Sequence, residues 1–331
     1  MRLTVAQAND LAIAAMRAIG YAQDEAFATA DHLVDAALRG VTFGSLPRIL
    51  AIAERFEKTG DRRTGLKIVR ETPVSALLDG GDHVGYFVAR RATEIAIEKA
   101  KQSGMSMVGA FNTWYTGLFA YYMEMATREG LVAFAAGNGP AIVAPEGATE
   151  ARLGTNPIAF GFPALDDPVI WDIGTCAIMH GELLLHQRLG EPLPEGVAID
   201  IKGEPTRDPA AALAGAIKAW GGHKGSGLSI VVQLLGAMCG GPVISPGMSD
   251  MAYFVLVMDP ELLIGDGTFP ERAAELSASI RSARPEPGRP GVRMPFDRSA
   301  AERRRRMAEG EIDVPDIVHS GLMHLVDRGR L

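Results

Sequence analysis

The chain has 331 residues, 47% of them hydrophobic and 22% charged, and it includes 38 glycines. This length allows about two domains and a large hydrophobic core. The net charge of −7 argues against a nucleic-acid-binding protein, since such proteins present a basic face. The cysteines, Cys176 and Cys239, form neither a disulfide framework nor a zinc-ligand spacing, which favours a reducing compartment.

The N-terminal segment lacks the continuous apolar stretch of a signal peptide, and no apolar run approaches the roughly 20 residues of a membrane span. We therefore expect a cytoplasmic protein without membrane or nucleic-acid partners. The strongly basic run from Arg303 to Arg306 has acidic residues on both sides and helix-forming residues around it. This pattern predicts a solvated helix face rather than a polyanion site.

Three helices are predicted within the first 60 residues. The first begins with a capping box formed by Thr4 and Gln7, and it ends at Gly20. The second spans roughly Asp24 to Arg39. The third begins near Leu46 and ends at Thr59-Gly60, where the helical periodicity stops.

From about residue 66 the pattern changes to strands alternating with helices. Strands are predicted in TPVSALLDGG, MSMVGAFN and LVAFAAGN, with a short helix in LFAYYMEMATREG, and NPIAFGFP and PVIWDIG form a predicted antiparallel pair. The helix GSGLSIVVQLLGAMCGG and the strand AYFVLVMDPELL follow, then a proline-rich connector. We expect a helical part, residues 1–65, packed with C-terminal helices in 298–331, and a central domain over 66–297.

Two glycine-containing turns and one carboxylate are candidate site elements. GGHKGSGLS delivers Lys224 and backbone N–H groups to a helix start, which suits a carboxylate or phosphate, although a plain helix-start turn explains it equally well. RLGTNP, residues 152–157, is able to hold a small polar ligand or simply to form an Asx-type turn. Asp172 ends an apolar strand and is either a cap for the next turn or a site residue.

Several common signatures are absent from the sequence. Neither a dinucleotide-binding G-x-G-x-x-G after a predicted strand nor a P-loop occurs, and the seven histidines have no metal-ligand spacing. No G-x-S-x-G supports a hydrolase. The sequence therefore predicts no metal centre, and it leaves cofactor binding open.

The order of these segments resembles the malate/L-lactate dehydrogenase-like NAD(P)-dependent oxidoreductases over nearly the whole chain. The resemblance is strongest in EARLGTNPIAFGFP, DIKGEPTRDPAAAL and GGHKGSGLSIVVQLL. It implies an α/β protein with a non-Rossmann nicotinamide-binding fold, in which a largely antiparallel central sheet is flanked by helical N- and C-terminal parts. It also implies a homodimer, with the cleft near the subunit interface, and NAD or NADP as cofactor.

The resemblance assigns roles to individual residues. Arg48 matches an arginine that clamps the substrate carboxylate, a task that suits a planar guanidinium because it binds both oxygens. Thr155 matches a substrate contact. The matching cofactor-binding positions are Asn138, Asp172, Ile173, Gly174, Lys224 and Gly225, with Pro295 and Asp297 as weaker candidates because RMPFD stands where the family has R-x-P-G-E.

The sequence departs from the family pattern at the proton-transfer positions. Gly44 stands where the family has its acid/base histidine, and Tyr115 aligns with a second family histidine. His180 and Glu182 replace a basic residue after the cofactor turn. The proton for a ketone substrate must therefore come from Tyr115, from a water held by Asp172, or from no protein group.

This departure favours one substrate class. A positioned general acid contributes roughly 10²–10⁴-fold to ketone reduction, whereas an iminium substrate brings its own proton. We therefore expect an NAD(P)H-dependent reductase that passes hydride to C2 of a small α-imino carboxylate. A 2-hydroxyacid dehydrogenase with Arg48, Tyr115 and Asp172 as catalytic residues remains open, as does a non-catalytic nicotinamide-binding protein of the same fold.

Overall fold

The computed structural model describes residues 1–330 and divides them into two units. The helical unit comprises Met1–Arg63, Ala164–Val169 and the chain from Pro270 onward, and the sheet unit comprises Thr64–Pro163 and Ile170–Phe269. The helices are α1 (Val5–Ala18), α2 (Gln23–Leu38), α3 (Pro47–Thr59), α4 (Gly85–Ser103), α5 (Phe119–Thr127), α6 (His180–Leu189), α7 (Pro209–Ala214), α8 (His223–Met238), α9 (Phe269–Arg281), α10 (Asp297–Glu309) and α11 (Asp316–Arg328). The strands are β1 (Arg2–Thr4), β2 (Lys67–Thr72), β3 (Ser75–Val84), β4 (Met105–Trp114), β5 (Val132–Gly137), β6 (Val143–Ala144), β7 (Ile158–Phe162), β8 (Val169–Ile173), β9 (Ala198–Ile199), β10 (Ala216–Lys218), β11 (Met251–Met258) and β12 (Glu311–Asp313).

The helical unit joins the two ends of the chain. The predicted capping box begins α1, since Thr4 Oγ1 accepts the Gln7 N–H at 3.1 Å and Gln7 Oε1 accepts the Thr4 N–H at 2.9 Å. β1 pairs antiparallel with β12, and α1 packs against both α2 and α11. The C-terminal part of this unit begins at Pro270, whereas the predicted C-terminal helices began at residue 298. Helix α9 belongs to the unit because Arg281 binds Asp297 at the start of α10.

The basic run on α10 is paired with acidic groups of the same unit. Arg304 contacts both oxygens of Asp167 at 2.6 Å, and Arg305 binds acidic side chains on its own helix. Arg303 and Arg306 turn toward α2, where Arg303 pairs with the Asp35 carboxylate. The run is therefore a partly exposed, ion-paired helix face.

The sheet unit is built on seven strands in the order β2-β3-β4-β11-β5-β7-β8. Antiparallel pairs join β2 to β3, β4 to β11, β11 to β5 and β5 to β7, while β3 and β4 are parallel. Parallel neighbours require a crossover, and α4 supplies it while packing on β3, β4 and β11. The central sheet is thus mostly antiparallel, as the resemblance implies.

A smaller sheet in the same unit has the order β6-β10-β9 and packs with α6 and α7 around a separate apolar cluster. Cys176 lies in this cluster, and Cys239 lies in another cluster under β11. Both thiols are buried and free. Within residues 1–330, none of the helices combines the length and the apolar character that crossing a bilayer requires.

Candidate active site

The glycine-rich turn before α8 has the close-packed geometry of a ligand cradle. Gly221 and Gly222 have φ angles of 62° and 63°, a left-handed conformation that glycine adopts without strain. An ideal Cβ on Gly225 would lie 1.7 Å from the Trp220 carbonyl oxygen, so only glycine fits there. Lys224 is exposed, and the first N–H groups of α8 follow it, which together suit an anionic group.

Three turns that are far apart in the sequence meet at the backbone of Thr175. The Thr155 carbonyl accepts hydrogen bonds from the Thr175 N–H at 2.9 Å and from its hydroxyl at 3.1 Å. The Thr175 carbonyl in turn accepts the Trp220 N–H at 2.9 Å. Thr175 is fully buried. The structure therefore brings Thr155, the segment after Asp172 and the Lys224 turn together.

The residues that follow Asp172 are tightly packed. Ile173 packs against the apolar cluster beneath α8, which includes Val232. An ideal Cβ on Gly174 would lie 2.5 Å from Met179 Sδ and 3.5 Å from the Thr155 carbonyl oxygen. A glycine at this position lets the chain pass close to Thr155.

Asp172 caps a helix that begins 53 residues earlier in the chain. Its Oδ2 accepts the Ala120 N–H at 2.8 Å, at the N-terminus of α5, where a carboxylate is favoured by the helix dipole. Burial raises the pKa of the Tyr253 phenol above its ordinary value; the hydrogen bond with Thr93 opposes this, and the Asp172 charge adds to it. Asp172 thus acts as a cap, although of α5 rather than of the next turn.

Tyr115 lies at the end of β4, five residues before the N–H that Asp172 accepts. It has a φ of 54°, and its ring contacts Trp114 edge-on at 5.3 Å between centroids. Asp82 and Asn112 nearby also have left-handed φ angles of 57° and 54°. Non-glycine residues in this conformation are uncommon and concentrate at functional sites. Trp114 itself is buried, and its Nε1 donates to the Asp82 carbonyl at 2.9 Å, so it belongs to the core rather than to a pocket wall.

Asn138 is buried at the far end of α8. Its Oδ1 accepts the Ala252 N–H at 2.7 Å, and its amide packs so closely on Gly236 that an ideal Cβ there would lie 2.6 Å from Nδ2. Gly236 is eleven residues from Gly225, about 16 Å along the helix axis. The structure therefore does not bring Asn138 to the Lys224 turn, and its cofactor role stays a prediction.

The remaining predicted residues belong to the helical unit. Arg48 is the second residue of α3, and its N–H donates to the Ser45 carbonyl at 2.9 Å. Pro295 is exposed, while Asp297 accepts hydrogen bonds from Arg281 and from the Met294 N–H. The hydrogen bonds from Arg281 lower the pKa of Asp297. Their roles toward substrate and cofactor also stay predictions.

Gly44 is not required by the backbone at its position. It lies in a 3₁₀ turn, Thr42–Gly44, and its φ is outside the left-handed region. Among the described residues, an ideal Cβ there would have one neighbour within 4 Å, the Val41 Cγ1 methyl at 3.1 Å. A methyl group on a side chain is able to give way, so the fold tolerates a side chain where the family has histidine.

The residues of the sheet unit fit a dinucleotide cofactor at the Lys224 turn. The turn excludes a side chain at Gly225, offers backbone N–H groups, and carries an exposed ammonium group for a phosphate. An acidic side chain also lies beside the turn: the Glu146 carboxylate comes within 3.6 Å of an ideal Cβ on Gly222. The Glu146 N–H is held by Ser226 Oγ at 3.1 Å.

Sequence reasoning missed Thr175, Ser229 and Gln233, which hold the turns in place. Ser229 and Gln233 are one helical turn apart on a strongly apolar helix, and both are buried. Polar residues at this spacing in an apolar segment are a signal of buried hydrogen bonds. Thr175 gave no such signal, because its backbone does most of the bonding.

Comparison with known proteins agrees with this architecture. The family model described as malate/L-lactate dehydrogenase matches residues 3–323. A malate/(S)-sulfolactate dehydrogenase of Methanothermus fervidus is 32% identical over 95% of this chain and 94% of its own length. A Δ1-pyrroline-2-carboxylate reductase of Ancylobacter novellus is 31% identical over 99% and 98%.

Among solved structures, the sulfolactate dehydrogenase of Methanocaldococcus jannaschii superposes with a TM-score of 0.89 at 29% identity, covering 99% of this chain and 97% of its own. The agreement extends over both units, and the named relatives are dehydrogenases and reductases. The chain is therefore an oxidoreductase that uses a nicotinamide cofactor, and it belongs to the malate/L-lactate dehydrogenase family.

Proposed function

We propose that this protein transfers hydride from NADH or NADPH to C2 of a small α-imino or α-keto carboxylate. The observation that carries the proposal is the meeting of three turns at Thr175, which sets Thr155 close to the turn that presents Lys224. The relatives' names supply both substrate classes, since sulfolactate is a 2-hydroxy acid and pyrroline-2-carboxylate is a cyclic imine.

Each residue has a definite task in this proposal. When bound, the nicotinamide supplies the hydride. Lys224 and the N–H groups at the start of α8 bind the anionic part of the cofactor, and Thr155 contacts the substrate. Asp172 holds the start of α5 and so fixes the segment that follows Tyr115. The predicted carboxylate clamp is Arg48.

The imine is the favoured substrate because of Gly44. A ketone needs a proton on oxygen as hydride arrives, and the family's imidazole is missing here. The backbone at Gly44 accepts a side chain, so the fold does not require the histidine to be absent. An iminium substrate is already protonated and makes that imidazole unnecessary. Tyr115 is the candidate acid if the substrate is a ketone.

The test follows nicotinamide absorbance with NADH and with NADPH over two substrate panels. The 2-oxo acid panel contains pyruvate, oxaloacetate, 2-oxoglutarate and sulfopyruvate. The imine panel contains Δ1-pyrroline-2-carboxylate, Δ1-piperideine-2-carboxylate, and pyruvate with methylamine. We expect turnover on the imines, with either cofactor. Cofactor binding without turnover of any substrate in either panel would contradict the proposal and favour a non-catalytic nicotinamide-binding protein.

Gly44→His separates the two substrate classes further. If the wild-type substrate is an imine, the new imidazole adds little to imine turnover and raises turnover of the matching 2-oxo acid. The conservative control is Gly44→Ala, which adds only the Cβ that the structure accommodates. If 2-oxo acid turnover rises in both variants, the cause is the change of backbone at residue 44 rather than the imidazole.

We also propose a homodimer in which a second copy covers one face of α8. The buried side of this helix carries the polar residues Ser226, Ser229 and Gln233 beside the apolar Val232. Its exposed side is apolar, and we call it the α8 apolar face: Ile230, Val231, Leu234 and Met238 are 47%, 50%, 60% and 59% exposed. Large exposed apolar patches mark interaction surfaces, and most soluble oligomers consist of copies of one chain.

Light scattering after size exclusion tests the dimer. Leu234→Glu places a charge in the middle of the α8 apolar face and is expected to give a monomer. Leu263→Glu is the matched control, since Leu263 is 97% exposed in the same unit and outside this face. A wild-type monomer, or a dimer that survives Leu234→Glu, would refute this assignment. A cytoplasmic location remains part of the proposal.

A further inference from the structure

The turn that carries Thr155 is held by a buried amide. Asn156 is fully buried and has a φ of 40°, a left-handed conformation that asparagine tolerates better than most residues. Its Nδ2 lies 2.9 Å from the Ser229 carbonyl oxygen, 3.0 Å from Ser229 Oγ and 2.9 Å from Gln233 Oε1. All three acceptors belong to the buried side of α8.

The orientation of both amides is fixed by carbonyl groups that only accept. Asn156 must turn its nitrogen toward α8, because the Ser229 carbonyl has no hydrogen to give. Gln233 must turn Nε2 toward the Val243 carbonyl, to which it donates at 2.6 Å. Gln233 Oε1 therefore faces Asn156 as an acceptor. The contacts of the two amide nitrogens therefore select one orientation of each side chain, in which Asn156 Oδ1 is buried without a hydrogen-bond partner among the described residues.

The residue before Thr155 is constrained as well. The Gly154 N–H points to Gln233 Oε1 at 3.5 Å, and an ideal Cβ on Gly154 would lie 2.7 Å from the Gly139 nitrogen. The Thr155 carbonyl is held by Thr175. The backbone of Thr155 is thus held at both neighbours and at its own carbonyl, which fixes the direction of its Cα–Cβ bond.

The helix that provides these anchors is the helix that begins at the Lys224 turn. Ser229 follows Gly225 by four residues, about one helical turn. We propose that Asn156 and Gln233 are positioning residues, which hold Thr155 at a set place relative to the cofactor turn. This inference rests on the proposed function, in which Thr155 contacts substrate and the turn binds cofactor.

The decisive variant is Asn156→Asp. Aspartate keeps the size and the tolerance of left-handed φ, but its carboxylate would donate nothing to the Ser229 carbonyl and to Gln233 Oε1, which only accept. We expect substrate kcat/KM to fall about 100-fold, as a displacement of roughly 1 Å at a reacting group does. The cofactor Kd, measured by nicotinamide fluorescence, should change less than about threefold, since Lys224 and Gly225 lie a full turn away.

A pH profile distinguishes positioning from plain destabilisation. At low pH the new carboxyl becomes protonated and is again a donor, so the loss in kcat/KM relative to wild type should shrink as pH falls toward 5. Gln233→Glu keeps the acceptor toward Asn156 but loses the donor toward Val243. We expect this variant to lower kcat/KM about 10-fold. Gln102→Glu, at an exposed position on α4, is the control for this variant. It should change neither kcat/KM nor the cofactor Kd.

The outcomes are separable. Unchanged kcat and KM in Asn156→Asp, with only a lower unfolding midpoint, would overturn the positioning role. If that variant does not fold, Ser229→Ala, which keeps the carbonyl acceptor, and Gln233→Glu carry the test, and wild-type kinetics in both would overturn it. A wild-type protein that turns over neither substrate panel would instead refute the proposed function, and the inference with it.

Discussion

Gly225→Ala is the sharpest test of the cofactor turn. One methyl group is added at the third residue of α8, where an ideal Cβ lies 1.7 Å from the Trp220 carbonyl oxygen and 2.8 Å from its carbonyl carbon. Both are backbone atoms, which have no alternative rotamer. The methyl group and the carbonyl must therefore separate by more than about 1 Å.

The structure indicates which side moves. The Trp220 N–H is bonded to the Thr175 carbonyl, and Thr175 is bonded to Thr155, so the carbonyl belongs to a fixed assembly. The start of α8, with Lys224 exposed to solvent, is the freer side. A displacement of roughly 1 Å at a binding group costs up to about 10²-fold. We expect the Kd for NADH or NADPH to rise 10- to 100-fold, which corresponds to about 1.4–2.7 kcal/mol.

The assay is a fluorescence titration of reduced cofactor, with circular dichroism to confirm the fold. Gly227→Ala is the matched control: it lies two residues further along the same helix, and its ideal Cβ meets nothing within 4 Å among the described residues. Alanine is preferred over glycine inside a helix by about 0.5–1 kcal/mol, so this variant should be slightly more stable and bind cofactor normally. Normal cofactor affinity in folded Gly225→Ala would refute the reasoning.

Three further predictions concern single groups. Arg48→Lys should raise substrate KM about 10-fold or more without changing cofactor Kd, because an ammonium does not pair with both carboxylate oxygens; steady-state kinetics checks this. Tyr115→Phe should lower kcat on 2-oxo acids about 10²-fold and leave imine turnover nearly unchanged, and an equal loss on both would contradict the acid role. Burial raises the pKa of Cys176 and Cys239 to about 12. Both thiols should therefore react with iodoacetamide at pH 8 only after unfolding, as mass spectrometry will show.

Local signals in the sequence predicted the elements that depend on neighbouring residues. The start of α1 depends on Thr4 and Gln7, three residues apart, and the structure has the capping box there. The helix α8 was also predicted, since its apolar run follows a glycine-rich turn. By contrast, β2 was missed, because it is an exposed edge strand that pairs with β3 alone among the described strands. Pairing rather than composition makes such a segment a strand.

The sequence by itself determined the family, the two candidate ligand-binding turns and the absence of the usual imidazole at Gly44. Only the tertiary structure decided how they are arranged. Asp172 bonds to a helix N–H group 52 residues earlier in the chain, and Asn156 bonds to Ser229 of α8, 73 residues later. These partners are chosen by packing, because a buried polar group must find its hydrogen bonds wherever the fold places them. Sequence spacing encodes contacts within a turn or a helix, whereas a site assembled from distant turns exists only once the chain has folded.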